Sequence, residues 1–204
     1  GLKAYWKFNE TSGDIINVSE SSVDLESEAD LQVTGATYNQ SGITGLNYSM
    51  LYDGTNDFSI AGTSVSQFNF LHNTSYEFTM AFWAKILDWG GLGMLWTTAN
   101  DLSAENYGLG LRAQSSGSIY YHFANGSSSN RFTGSISGFN TDGAFHFYVI
   151  TGKQSDSSNS LQMWEDGASM GTASNSGKNF SDTNATTAGY QAVAGTTSEQ
   201  WANM

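Results

Sequence analysis

No cysteine and no proline occur among the 204 residues, and only 7 lysines and arginines stand against 19 aspartates and glutamates. Without cysteine there is no disulfide framework, no thiolate metal site and no cysteine nucleophile, and the redox compartment is left open. Without proline, the 23 glycines must supply the turn punctuation. A formal net charge of −12 repels phosphate backbones and anionic headgroups, which argues against nucleic acid and membrane surfaces as partners. No run approaches the ~18–20 continuous apolar residues that a membrane helix needs, so membrane insertion is not expected. The chain starts at Gly1, not at methionine, and reads as a processed chain or as a piece of a longer one.

What is present is aromatic and polar. Aromatic residues make up 14% of the chain against 13% charged, a balance that argues for an ordered fold and against disorder. The length suits one all-β domain around a single core.

The strongest local signals are strands of period two. Tyr76–Ile86 (YEFTMAFWAKI) places Phe78, Met80, Phe82 and Ala84 on one face and Thr79 and Trp83 on the other. GAFHFYVITG, KQSDSSNS and LQMWEDG over 143–167 form a strand, a polar turn and a second strand, with Asp166-Gly167 starting the next turn. On the first of these, Phe147 and Val149 are expected in the core. On residues 2–9, Trp6 and Phe8 are expected to face the core from a first strand. Residues 14–35 read as an acidic, serine-rich surface loop leading to a short strand at Leu31–Val33. Further strands are expected near Met50–Tyr52, Asp57–Ile60, Met94–Thr97, Tyr107–Leu111 and Ile119–Phe123, with a short helical turn over Ser64–Phe70. Closely spaced strands without a sustained helical period predict a two-sheet antiparallel sandwich.

Catalytic chemistry finds no footing in this pattern. A sandwich-type glucanase would carry carboxylates in an E-x-D-x-x-E run, roughly 5–5.5 Å apart across the scissile bond, and the chain has none. Glu165 and Asp166 are neighbours, so on a strand they should point to opposite faces, with Asp166 acting as the turn residue before Gly167. His72, His122 and His146 show neither the spacing of a metal pair nor a partner serine.

Five segments in order resemble the laminin-G-like branch of the concanavalin A-like lectin/glucanase superfamily: AYWKFNETSG, YDGTNDFSI, YEFTMAFWAKI, GAFHFYVITG and LQMWEDGASMG. The resemblance implies a jelly-roll sandwich over residues 1–204 that binds or assembles. It also implies a closing strand beside the first one; here Trp201 looks like the start of that segment, so the domain is expected to lack its final strand. His146 matches the histidine that often follows an aromatic in the central strand of this family, where its role is structural. Calcium is the cofactor implied, held by loop oxygens, with Asp14, Asn17, Glu20, Asp53 and Asp57 as the positions for it. Asn17 falls where the family carries an aspartate.

Two functions follow as expectations. The first is a non-catalytic structural or attachment module of a virion or extracellular surface assembly, of capsid-decoration or tail-fibre type, whose partners are neighbouring protein chains. The second is a carbohydrate-binding or adhesion module of a secreted bacterial protein, meeting cell-surface glycans through Trp89, Trp96 and Tyr107. The polar, proline-free and cysteine-free chain, with its unprocessed-looking start and abrupt end, tilts the sequence reading towards the first.

Overall fold

The computed structural model describes residues 1–19, 30–53, 56–61, 71, 77–86, 93–97, 107–114, 117–125, 132–153, 155–176, 193–194 and 202–203. Among them the chain forms strands and no α-helix. The strands are β1 (Leu31–Thr34), β2 (Thr37–Ser41), β3 (Tyr48–Leu51), β4 (Phe58–Ala61), β5 (Glu77–Ile86), β6 (Gly93–Thr97) and β7 (Tyr107–Gln114). They continue with β8 (Ser118–Asn125), β9 (Phe132–Ser137), β10 (His146–Lys153), β11 (Leu161–Glu165), β12 (Ala168–Ala173), β13 (Val193–Ala194) and β14 (Ala202–Asn203).

A seven-stranded sheet runs β1-β4-β13-β6-β7-β8-β9 and a five-stranded sheet runs β12-β11-β10-β5-β14, with β2 and β3 pairing apart. Every pairing is antiparallel, as period-two strands joined by short turns require. This is the jelly-roll sandwich expected from the strand pattern. Leu109, Leu111, Ile119, Phe123 and Ile136 of the larger sheet share one apolar core with Phe78, Ala84, Tyr148, Ile150, Leu161 and Met163 of the smaller. Phe78 stacks on Phe123 with ring centres 6.3 Å apart, joining the two sheets, and Phe139 lies flat on Tyr148 at 4.4 Å.

On β5 the expected face holds: Phe78 and Ala84 are buried and Met80 and Phe82 are half-buried, whereas Thr79 and Trp83 are exposed. The expectation for β10 is reversed. His146, Tyr148, Ile150 and Gly152 point inward, and Phe147 and Val149 lie on the opposite face, only half-buried. The register explains it, since Tyr148 sits opposite Phe82 and Ile150 opposite Met80, so they share the inner face of β5. Phe147 instead meets Trp83 on the outer face at 5.2 Å.

The N-terminal segment also differs from expectation. Residues 2–9 form no strand and make a single bridge, Trp6 with Asn17. Two causes are visible: Phe8 has φ +56, which breaks an extended run, and the Tyr5 N–H donates to the Asn17 side chain at 2.8 Å instead of to a neighbouring strand. Trp6 and Phe8 are half-buried against the core. At the other end of the chain β14 pairs with β5. The expected helical turn at 64–70 and Trp201 lie outside the described residues.

Candidate functional site

Among the described residues, two places on this scaffold gather chemistry. The first is the outward face of β7, β8 and β9. Their inward positions, Ala113, Ile119, Tyr121 and Ile136, are buried, so the alternate positions Arg112, Tyr120 and Ser135 face away from the core, one beside the next across three strands. The Arg112 guanidinium lies 4.5 Å from the centre of the Tyr120 ring, a cation–π contact that orients both groups. Gln114 Oε1 accepts from Ser118 Oγ at 3.1 Å and from Ser135 Oγ at 2.8 Å, which fixes its amide beside this pair. The face therefore presents a planar cation, a ring and hydroxyl and amide groups on rigid strands, the kinds of group that recognise a polyol.

The second place is where β10 begins and β11 turns into β12. Asp166 occupies the left-handed region with φ +49, followed by Gly167 at φ +81, in the Asp-Gly turn expected there. Its Oδ1 accepts from the Phe147 N–H at 2.9 Å, and its Oδ2 accepts from His146 Nδ1 at 2.7 Å. Glu165 Oε1 lies 3.3 Å from the same Nδ1. The other ring nitrogen, Nε2, donates to Asp142 Oδ1 at 3.1 Å. Glu165 and Asp166 thus reach one imidazole atom, contrary to the expectation of opposite faces. The left-handed turn residue lies beyond the regular pleat, and the alternation rule no longer places its side chain.

Charges in this cluster shift one another. Burial works against a charged His146, yet the hydrogen bonds to Asp166 and Asp142 and the charges of Glu165 and Asp166 outweigh it, and its pKa lies above the ordinary histidine value. Burial pushes the Glu165 carboxyl up, against the pull of His146 and of the Asn140 N–H. Asp166 is held low by the Phe147 N–H and then by His146, and Asp142 is held low by the Ala144 N–H and then by His146. Neither the convergence of three carboxylates on His146 nor the Arg112–Tyr120 pair was read from the sequence. The alternation of β7 and β8 carried a signal for the second, whereas the first depends on a turn and a loop.

The sequence-predicted positions are scattered by the fold. Trp89 and Glu20 lie outside the described residues, and of Tyr107 only the backbone is described, opposite Asn125. Trp96 is half-buried, packed on the core and tilted against Trp6 at 5.5 Å. Asp14 is exposed in the turn after the first segment. Asn17 is buried, and its Oδ1 accepts from Tyr5 N at 2.8 Å, Ser19 Oγ at 2.9 Å and Ser19 N at 3.3 Å. That oxygen serves the local backbone. Asp53 and Asp57 are brought together, with the Asp53 N–H donating to Asp57 Oδ2 at 2.8 Å, and Asp57 is buried beneath Gly35. Among the described residues, Asp14, Asp53 and Asp57 belong to no group of three ligand atoms within 4.8 Å; His146, Glu165 and Asp166 form one.

No known family matches the sequence, and no curated protein does. Solved structures do. The CBM40 module of the Ruminococcus gnavus IT-sialidase, bound to α2,6 sialyllactose, superposes with a TM-score of 0.51 at 9% identity, over 75% of this chain and 82% of that one. The same module without a named ligand gives 0.50 at 11% identity, over 73% and 80%. Carbohydrate-binding module CBM66 from Bacillus subtilis gives 0.42 at 14% identity, over 84% and 91%. At these identities the likeness is one of fold, a β-sandwich shared with carbohydrate-binding modules.

Proposed function

We infer that this chain is a non-catalytic carbohydrate-binding module and that its glycan site is the outward face of β7–β9. The observation that carries the reading is the Arg112 guanidinium lying on Tyr120 beside the Gln114 and Ser135 side chains. A sugar ring offers an apolar C–H face and a rim of hydroxyls. Tyr120 and the planar guanidinium supply surface for the face, while Arg112, Gln114 and Ser135 offer donors and acceptors for the rim. Arg112 also suits a sugar carboxylate, which it can hold through two parallel N–H bonds. The solved carbohydrate-binding modules of the same fold support the class of ligand. No turnover is assigned to the site, which holds no carboxylate pair of the glycosidase kind. No observation favours the capsid-decoration or tail-fibre reading over this one.

Arg112 and Tyr120 are half-buried and His122, further along the same face, is fully buried, so the surface left for a ligand is small; single-site affinity is weak and useful attachment needs several copies. A glycan array carrying neutral and acidic sugars, probed with the multimerised chain, tests the reading. Binding should fall at least about tenfold in Arg112→Met and in Tyr120→Ala, a loss of ~1.4 kcal/mol or more. An array silent to the native chain, or binding unchanged in both variants, would overturn it.

A further inference from the structure

We propose that His146, Glu165 and Asp166 form a site for one divalent transition-metal cation of the zinc class, held through His146 Nδ1, Glu165 Oε1 and Asp166 Oδ2, with Asp142 positioning the imidazole. The site belongs to the five-stranded sheet and is independent of the glycan reading, which rests on the seven-stranded one.

Geometry supplies the first argument. Around a four-coordinate cation with bonds of about 2.0–2.2 Å, neighbouring ligand atoms stand roughly 3.3 Å apart. His146 Nδ1 and Glu165 Oε1 are already 3.3 Å apart, and Asp166 Oδ2, at 2.7 Å, needs only to draw back by about half an ångström as a metal replaces the Nδ1 proton. Asp166 can do so because its side chain is half-exposed, while its other oxygen stays anchored on the Phe147 N–H. Water has access from the same side to complete the coordination.

Charge supplies the second. Even with a charged imidazole, the three carboxylates Asp142, Glu165 and Asp166 leave the cluster negative, on a chain of net charge −12. Exchanging one proton for a divalent cation relieves that repulsion. The arrangement behind the ligands supplies the third: Asp142 accepts from Nε2, which keeps a proton on that nitrogen and orients the ring, so that displacing the Nδ1 proton now donated to Asp166 leaves Nδ1 as the ligating atom, as outer carboxylates commonly do for ligating histidines. An imidazole nitrogen with two carboxylate oxygens suits zinc and its neighbours better than calcium or magnesium, which take oxygen alone.

The test uses the full chain after stripping with a chelator. Calorimetric titration with Zn²⁺ should show one ion per chain, and nitrogen NMR should place the shifted resonance on His146 Nδ1. Ca²⁺ should do neither. Asp166→Asn preserves the turn and the Phe147 contact but removes the ligating charge, and it should weaken Zn²⁺ binding by about 10- to 100-fold; Asp142→Asn should weaken it by a similar factor. Absence of Zn²⁺ binding to the folded native chain, an equal response to Ca²⁺, or a signal on another histidine that Asp166→Asn leaves unchanged would each overturn the proposal. Should Asp166→Asn fail to fold, the NMR assignment on the native chain decides alone.

Discussion

Gly152→Ala should destabilise the chain through a single side chain, Phe78. Gly152 lies on β10 facing the core, opposite Phe78 on β5 and Leu161 on β11. A Cβ added there would stand 2.4 Å from Phe78 Cε1, 2.6 Å from Cζ and 3.0 Å from Cδ1. Apolar carbons rest about 3.5–4.0 Å apart, so the ring must withdraw by roughly an ångström. It has little room, being 7% exposed and stacked on Phe123 of the facing sheet. Overpacking of this kind costs about 1–3 kcal/mol, against which alanine in a strand recovers ~0.5–1 kcal/mol over glycine. The net loss is then about 0–2.5 kcal/mol, centred near ~1 kcal/mol, or a fall in Tm of roughly 2–5 °C at that centre for a domain of this size. Urea denaturation followed by tryptophan fluorescence measures it, and a second background isolates its cause. If the ring is responsible, Gly152→Ala should cost far less in a Phe78→Leu chain, giving a coupling of about 1 kcal/mol. Losses that add to within ~0.5 kcal/mol would refute the reasoning.

Two further perturbations test the packing of polar groups. Ser160 is fully buried, donates to the Ala173 carbonyl at 3.2 Å and accepts from the Asn175 N–H at 2.6 Å, so Ser160→Ala removes two buried hydrogen bonds. A loss of ~1–3 kcal/mol in denaturant is expected, and a change below ~0.5 kcal/mol would show that water replaces the hydroxyl. Burial pushes the Tyr52 and Tyr148 hydroxyls well above the ordinary tyrosine pKa. Because each stays protonated in the fold while unfolded tyrosine ionises near pH ~10, the folded chain binds more protons above that value and stability should fall from there upward. Tyrosinate absorbance tracked alongside circular dichroism checks this; all tyrosines ionising with ordinary midpoints in a chain that remains folded would contradict it.

Much of the sandwich was legible because alternation is informative wherever only one face of a strand is apolar. EFTMAFWAKI and LQMWE declare their buried sides through the polar residues between, and Asp166-Gly167 declares a turn through the backbone conformation those residues favour. On β10 both sets, Phe147 and Val149 against Tyr148 and Ile150, are apolar, so composition could not choose between them. Pairing with β5 made the choice, since a strand's inner face is defined by its neighbour's. Residues 2–9 alternate as a strand would, but the Asn17 side chain captures the Tyr5 N–H and Phe8 turns the chain, a competition between side-chain and ladder bonding that the local pattern does not contain.

Composition and a period of two were enough for the all-β class, the antiparallel sandwich, the net acidic charge and the absence of thiol chemistry. The sites came from folding alone. Arg112, Tyr120 and Ser135 meet because three strands stand in register, and Asp142, His146, Glu165 and Asp166 meet because a loop and a left-handed turn fold to one end of a sheet. Such convergence depends on strand register and on turn conformation at separated points of the chain, and spacing along one segment does not encode it.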